Sequence, residues 1–234
     1  MLENVNLQQV KEKLYTKLKE SGWGDSLKTF VLSNDMDKIL ERLLDEARDN
    51  KRFVPQMKDV FRAFEVCSFD NTRVVIIGQD PYPYPEIPDG IAFSCSKKGK
   101  PEASLRLIFD SIKDTCIPGY QGDPDLKRWS DQGVLLLNSA LTTTVFKPGS
   151  HYLLWSPFIV SVIDSLIWNK QDIIYVFMGK KAQEYADLIP GNSLKILVSH
   201  PASAAYEKKP WDCEDLWNKI NNQLVKLNQK PIEW

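Results

Sequence analysis

Val74-Val75-Ile76-Ile77-Gly78-Gln79-Asp80-Pro81-Tyr82 strings four β-branched residues together and then breaks on a glycine, an amide, a carboxylate, a proline and a tyrosine. An apolar run without polar alternation suits a strand covered on both faces, as in a parallel sheet packed between helices. Such sheets bind ligands outside the carboxyl ends of their strands, so the polar residues after Ile77 stand where chemistry is done. Gly78 permits close backbone approach, Pro81 stiffens the loop, and Asp80 is aimed at whatever enters. Taken alone, the peptide also reads as a strand followed by an ordinary Asp-Pro turn.

Outward from this run the pattern recurs. Gly133 to Asn138, Ile173 to Gly179 and Leu194 to Pro201 are three more apolar runs bounded by turn residues. Helical spacing is found over Leu7 to about Leu18, closed by Gly22-Trp23-Gly24, and over about Asp35 to Asn50. It returns near Met57 to Phe64, over Ser104 to Lys113, near Leu126 to Asp131, and over Trp155 to Asn169, Lys180 to Leu188 and about Cys213 to Leu227. Alternating strands and crossover helices predict an α/β fold of three layers, α/β/α, with a four-stranded parallel sheet flanked by helices. The expected organisation is one domain over 1–234 with a helical N-terminal segment of about 1–50. Three of the four strands end on polar groups, namely Gln79 with Asp80, Asn138, and His200, and strand ends along one rim converge on one pocket.

With 43% hydrophobic and 26% charged residues, the 234-residue chain has the composition of a soluble globular enzyme. No apolar run approaches the length of a membrane span, and Met1 to Asn4 begins a polar segment rather than a signal sequence, which predicts a cytoplasmic protein with no membrane partner. Cys67, Cys95, Cys116 and Cys213 are scattered without any Cys-x-x-Cys pair, so no metal or iron-sulfur site is expected. A net charge of -1 exerts no global pull on nucleic acid, leaving local clusters such as Lys97-Lys98-Gly99-Lys100, Lys180-Lys181 and Lys208-Lys209, each of which also reads as a solvated edge. The chain has only two histidines, and one of them directly follows a buried strand. A carboxylate, a neutral amide, a histidine and an aromatic, without an activated serine or cysteine, suit hydrolysis of a bond whose leaving group needs charge stabilisation.

These residues resemble the family 1 uracil-DNA glycosylases. The resemblance rests on Gly78-Gln79-Asp80-Pro81-Tyr82, Gly90-Ile91-Ala92-Phe93-Ser94, and Leu135-Leu136-Leu137-Asn138 with Leu141-Thr142 behind. It continues through Gly149-Ser150-His151, Met178-Gly179-Lys180-Lys181-Ala182-Gln183, His200-Pro201 and Pro231-Ile232-Glu233-Trp234, in the family's order from about Phe53 to the last residue. It implies base excision by a monomer without cofactor, acting on uracil in single- or double-stranded DNA after the nucleotide is flipped out. Asp80 would orient water and stabilise positive charge on the deoxyribose, while neutral His200 would donate a hydrogen bond to uracil O2. Asn138 would read the O4 and N3–H edge, since an amide offers donor and acceptor together. Phe93 would stack on the base, Tyr82 would occupy the place of a thymine methyl, and Gln79 would contact the pyrimidine. Ser104 resembles the family's phosphate-gripping serine, although a plain helix N-cap explains it too.

Two departures matter. Pro83 stands where the family usually has a histidine, and His200-Pro201-Ala202-Ser203-Ala204-Ala205 stands where it has His-Pro-Ser-Pro-Leu-Ser. The wedge leucine that fills the gap left by the flipped base aligns with Ala204, and the loop's phosphate-gripping serine is displaced to Ser203. A methyl cannot plug that gap, so single-stranded or destabilised DNA is the expected preference, with Tyr206 as a substitute wedge. Weakened binding of a DNA-mimicking inhibitor protein is expected for the same reason. The competing reading is a DNA-binding or replication subunit with weak or lost catalysis, like the poxvirus relatives. Retention of Asp80, Asn138 and His200 argues against it. An α/β hydrolase or nucleotide-binding protein finds no Gly-x-Ser-x-Gly elbow and no Gly-rich phosphate loop.

Overall fold

The computed structural model describes residues 5–234, so Met1 to Asn4 lie outside the described residues. In chain order come α1 (Leu7–Glu20), α2 (Trp23–Val31), α3 (Asn34–Arg48), β1 (Phe53–Val54), α4 (Arg62–Val66), β2 (Val74–Gly78), α5 (Ala103–Thr115) and α6 (Lys127–Ser130). Then follow β3 (Val134–Asn138), β4 (Thr143–Thr144), α7 (Tyr152–Asn169), β5 (Ile174–Met178), α8 (Lys180–Gln183), β6 (Lys195–Val198), α9 (Pro201–Glu207) and α10 (Leu216–Lys226). The main sheet has the order β3-β2-β5-β6, and every pairing in it is parallel.

The period of two along each strand divides the molecule into two cores. Val75, Ile77, Leu135, Leu137, Tyr175 and Phe177 face a core built with α1, α2, α3 and α7. Val74, Ile76, Val134, Leu136, Ile174 and Val176 face a second core with α5 and α10. All five residues of β2 are buried, and its pairing with both β3 and β5 leaves it no free edge. By contrast β6 alternates exposed and buried residues, as suits the sheet's outer strand. The last residue, Trp234, closes the second core, its ring 4.8 Å from Trp217 and 5.3 Å from Trp129.

Four details correct the sequence expectations. Gly22, with φ of 79°, ends α1 but also opens a further helix, α2, in which Trp23, Leu27 and Val31 are buried at helical spacing. A two-stranded antiparallel ribbon joins β1 to β4. The segment after His200, expected as a loop, is the helix α9 with proline in its first turn, where the missing N–H costs nothing. Finally, α7 spans 18 residues with mean hydropathy 1.2 and reaches the length of a membrane span. Its Trp155, Phe158, Ile159, Val162, Ile163 and Leu166 are buried, so here its apolarity serves the first core.

Candidate active site

The carboxyl ends of β2, β3 and β6 open into one pocket of about 230 Å³. That is smaller than the roughly 300–1,000 Å³ typical of drug-sized ligands, and suits a single ring. Gln79, Asp80, Tyr82, Phe93, Asn138 and His200 all line it, and Ser104 reaches it from the start of α5. Gly78 and Asn138 are register partners on adjacent strands. A Cβ on Gly78 would lie 2.9 Å from both Asn138 Oδ1 and the tip of the Phe93 ring, so only glycine lets the amide and the aromatic close on one space. Among the described residues, no hydrogen bond engages the Asn138 side-chain amide, which keeps both its donor and its acceptor for a ligand.

Phe93 has the left-handed φ of 66°, disfavoured for a bulky residue. Around it, buried Asp89 accepts from the Ile91 N–H at 3.1 Å, the Ser94 hydroxyl at 2.6 Å and the Ser96 N–H at 3.2 Å. Arg62 approaches the same carboxylate to 2.8 Å. These bonds fold the loop back so that Phe93 lies 5.4 Å from the His200 ring at a tilt of 32°. The Tyr82 hydroxyl donates to the Phe93 carbonyl at 3.1 Å, and burial pushes this phenol well above its ordinary pKa. Tyr82 therefore acts as a neutral wall.

His200 is held in one protonation state. The Ala202 N–H donates to His200 Nδ1 at 3.1 Å, so in the neutral ring the proton sits on Nε2 as a donor. Burial pulls the imidazole pKa down from 6.5 to about 4, so the ring is neutral near pH 7. Gly179 follows β5 with φ of 90°, and a side chain there would strike the His200 Cβ at 2.7 Å.

Asp80 receives opposed influences. Burial pushes its carboxyl above the ordinary value, while hydrogen bonds to the ionised form pull it back. The Gly149 N–H donates to Oδ2 at 2.7 Å and the Tyr152 hydroxyl donates to Oδ1 at 3.0 Å. Gly149 lies in the turn leading into α7, and Tyr152 is the first residue of that helix. That turn is anchored by His151, whose Nε2 lies 3.1 Å from Glu46 Oε1 of α3 and whose Nδ1 lies 2.8 Å from the Thr142 hydroxyl. Glu46 also accepts from the Thr144 hydroxyl at 3.0 Å. Helix α3 thus braces the wall that holds the carboxylate.

No sequence motif announces Tyr152, Glu46 or Asp89. Tyr152 was within reach, because it directly follows Gly149-Ser150-His151; Glu46 shows only as a charge on an otherwise amphipathic helix. Ser104 is not the N-cap of α5, a place taken by Glu102, and it is one of the residues lining the pocket. Ser203 is exposed on α9 outside the pocket lining, where Ala202 is the contributor. Ala204 departs furthest from expectation. It is buried in the second core against α5, so its methyl does not stand at the mouth; helix formation from Pro201 turns it inward. On the same helix Tyr206 is 90% exposed. Among the described residues no cluster of three or more His, Cys, Asp or Glu is arranged to hold a metal ion.

Residues 64–221 match the model of the uracil DNA glycosylase superfamily. A uracil-DNA glycosylase of Acinetobacter baylyi is 33% identical over 230 residues, 97% of each chain. One of Amoebophilus asiaticus is 38% identical over 182 residues, covering 77% of this chain and 82% of that protein. Among solved structures, a mimivirus uracil-DNA glycosylase superposes with a TM-score of 0.82 at 25% identity, over 98% of this chain and 89% of the other. Two variants of the mimivirus protein, each changed at a tyrosine and solved in complex with UGI, superpose with the same TM-score of 0.82.

Because Tyr152 stabilises only the ionised form of Asp80, Tyr152→Phe is expected to move the acidic limb of the kcat/KM profile to higher pH, with thermal unfolding little changed. Superimposable pH profiles of variant and wild type would show that the hydroxyl does not tune this carboxylate.

Proposed function

The chain belongs to the uracil-DNA glycosylase superfamily, and we propose that it is a base-excision repair enzyme of the family 1 type, hydrolysing the N-glycosidic bond of deoxyuridine in DNA. The observation that carries this reading is the convergence of Asp80, Asn138 and His200 on one single-ring pocket. Free uracil and an abasic site are the products.

In the proposed reaction the deoxyuridine is turned out of the helix into the pocket, with Phe93 against the base and Tyr82 where a 5-methyl group would stand. Asn138 pairs with O4 and N3–H, an edge on which cytosine offers the opposite pattern. The bond between N1 and the anomeric carbon breaks, and its electron pair goes to the base. Negative charge gathers on O2, where the His200 Nε2–H donates without having to give up its proton. Positive charge gathers on the sugar, opposite the Asp80 carboxylate. Water positioned by Asp80 adds its oxygen to the anomeric carbon and loses a proton, while the released uracil anion takes one from solvent. Gln79 adds a contact to the pyrimidine, and Ser104 and Ser203 grip backbone phosphates.

The proposed setting is a cytoplasmic monomer, and the four free cysteines fit the reducing compartment. The wedge function moves from Ala204 to Tyr206, whose exposed ring lies on the helix that begins at the pocket. UGI, the protein bound to the two mimivirus variants, would find Ala204 buried and Tyr206 exposed here where the family resemblance implies a leucine, and weaker binding is the expectation, which undiminished affinity in a titration would contradict.

With a uracil-containing single-stranded oligonucleotide and a chelator present, the wild type is expected to release uracil. His200→Ala should lower kcat by about 10² to 10³, the usual cost of one donor to a developing anion, and Asp80→Asn should also impair release severely. No release by the wild type, or full release by both variants, would refute the assignment. Tyr206→Ala should slow excision from duplex DNA by roughly tenfold while sparing single strands, since a wedge matters only where a stack is opened. Equal effects on both substrates would remove Tyr206 from that role.

A further inference from the structure

Beside the pocket mouth lies an aromatic pair that the chemistry above leaves unused. Tyr84, 49% exposed, lines the pocket, and Phe146, 68% exposed, packs its ring edge-to-face against it at 5.8 Å and 65°. Neither ring belongs to the two hydrophobic cores. Phe146 adopts a left-handed φ of 61°, a conformation that bulky side chains avoid. It is kept there by its own N–H donating to the Pro83 carbonyl at 2.7 Å and by the Lys147 N–H donating to the Thr144 carbonyl at 2.9 Å. The backbone is thus constrained around a large apolar side chain that remains in water, a cost that packing does not explain.

The neighbouring charge points to what covers the pair. Lys147 is exposed and, among the described residues, pairs with no carboxylate; the same holds for Arg52, whose carbonyl accepts from the Val145 N–H at 2.8 Å. An aromatic surface flanked by unpaired cations is the combination that binds single-stranded nucleic acid, with bases stacking on rings and phosphates drawn to the cations. The surface is also continuous with the pocket through Tyr84, Pro83 and Pro148.

We propose that Tyr84 and Phe146 form a stacking platform for an unpaired nucleobase flanking the deoxyuridine, and that Lys147 and Arg52 contact the adjoining phosphates. This rests on the reading of the pocket as a uracil site, and it adds a second base-binding position to it. The platform favours DNA whose flanking bases are already unstacked, because a paired neighbour cannot leave the helix to reach the rings.

Three measurements test it. First, affinity for a uracil-free single-stranded oligonucleotide, followed by fluorescence anisotropy, should fall roughly tenfold in Phe146→Ala and in Tyr84→Ala, within the usual range for one stacked base, and be kept in Phe146→Trp. Second, kcat/KM for uracil release should fall by a similar factor when the wild type is given a substrate with base-free residues on both sides of the uridine. Third, Phe146→Ala should lose nothing further on that substrate. Inhibition by free uracil and thermal unfolding should be unchanged in Phe146→Ala, which separates loss of the platform from damage to the pocket or fold. The proposal is overturned if both alanine variants bind uracil-free single strands like the wild type, or if Phe146→Ala loses as much on the base-free substrate as on the normal one. If the wild type releases no uracil, the catalytic reading fails, and the anisotropy arm alone decides the platform.

Discussion

Strand β2 has neighbours on both edges and a hydrophobic core on both faces, so its carboxyl end cannot shift without disturbing the whole sheet. Asp80 follows that end by two residues, and its position is inherited from the most constrained backbone in the molecule. The flanking strands supply Asn138 in register with Gly78, and β6 supplies His200 at the rim. A small pocket between such fixed points resists enlargement, because a group larger than a single ring would have to move the sheet.

Burial acts in opposite directions on the two charged-chemistry groups. It raises the carboxyl of Asp80 and lowers the imidazole of His200, because in both cases the charged form loses hydration. In the proposed reaction the neutral state of His200 is the useful one, and nothing opposes the shift. As pH falls from 6.5 towards 4 the unfolded chain takes up a proton that the folded site refuses, so this residue withdraws stability over that window. In the same proposed reaction the ionised state of Asp80 is the useful one, and Gly149 and Tyr152 offset part of the burial penalty. Its raised value means that stability is lost as pH rises from the ordinary carboxylate range through that value, a cost of function rather than of folding.

The parallel sheet and the pocket wall were legible because each rests on a local signal: an unbroken apolar run followed at once by a polar group. Gln79, Asp80, Asn138 and His200 therefore fall together as their strand ends imply. Helix α9 was not legible, because its alanines and serine carry little amphipathic contrast, and the proline after His200 reads equally as a loop or as a first helical turn. Read as a loop the segment puts Ala204 at the rim, whereas the helix turns it into the second core. Tyr152 and Glu46 were hidden for another reason. Their partners lie 72 and 105 residues away, at Asp80 and His151, and no local pattern encodes such pairings.

The proposed reaction depends on a histidine that stays neutral and presents Nε2–H to the pocket, set by one backbone N–H and by burial. Its most direct test is the nitrogen-15 ring chemical shifts of His200, followed by NMR from about pH 8 down to about pH 4. The prediction is a neutral ring protonated on Nε2 down to about pH 5, titrating near 4. Titration near the ordinary 6.5, or a proton resident on Nδ1, would contradict it.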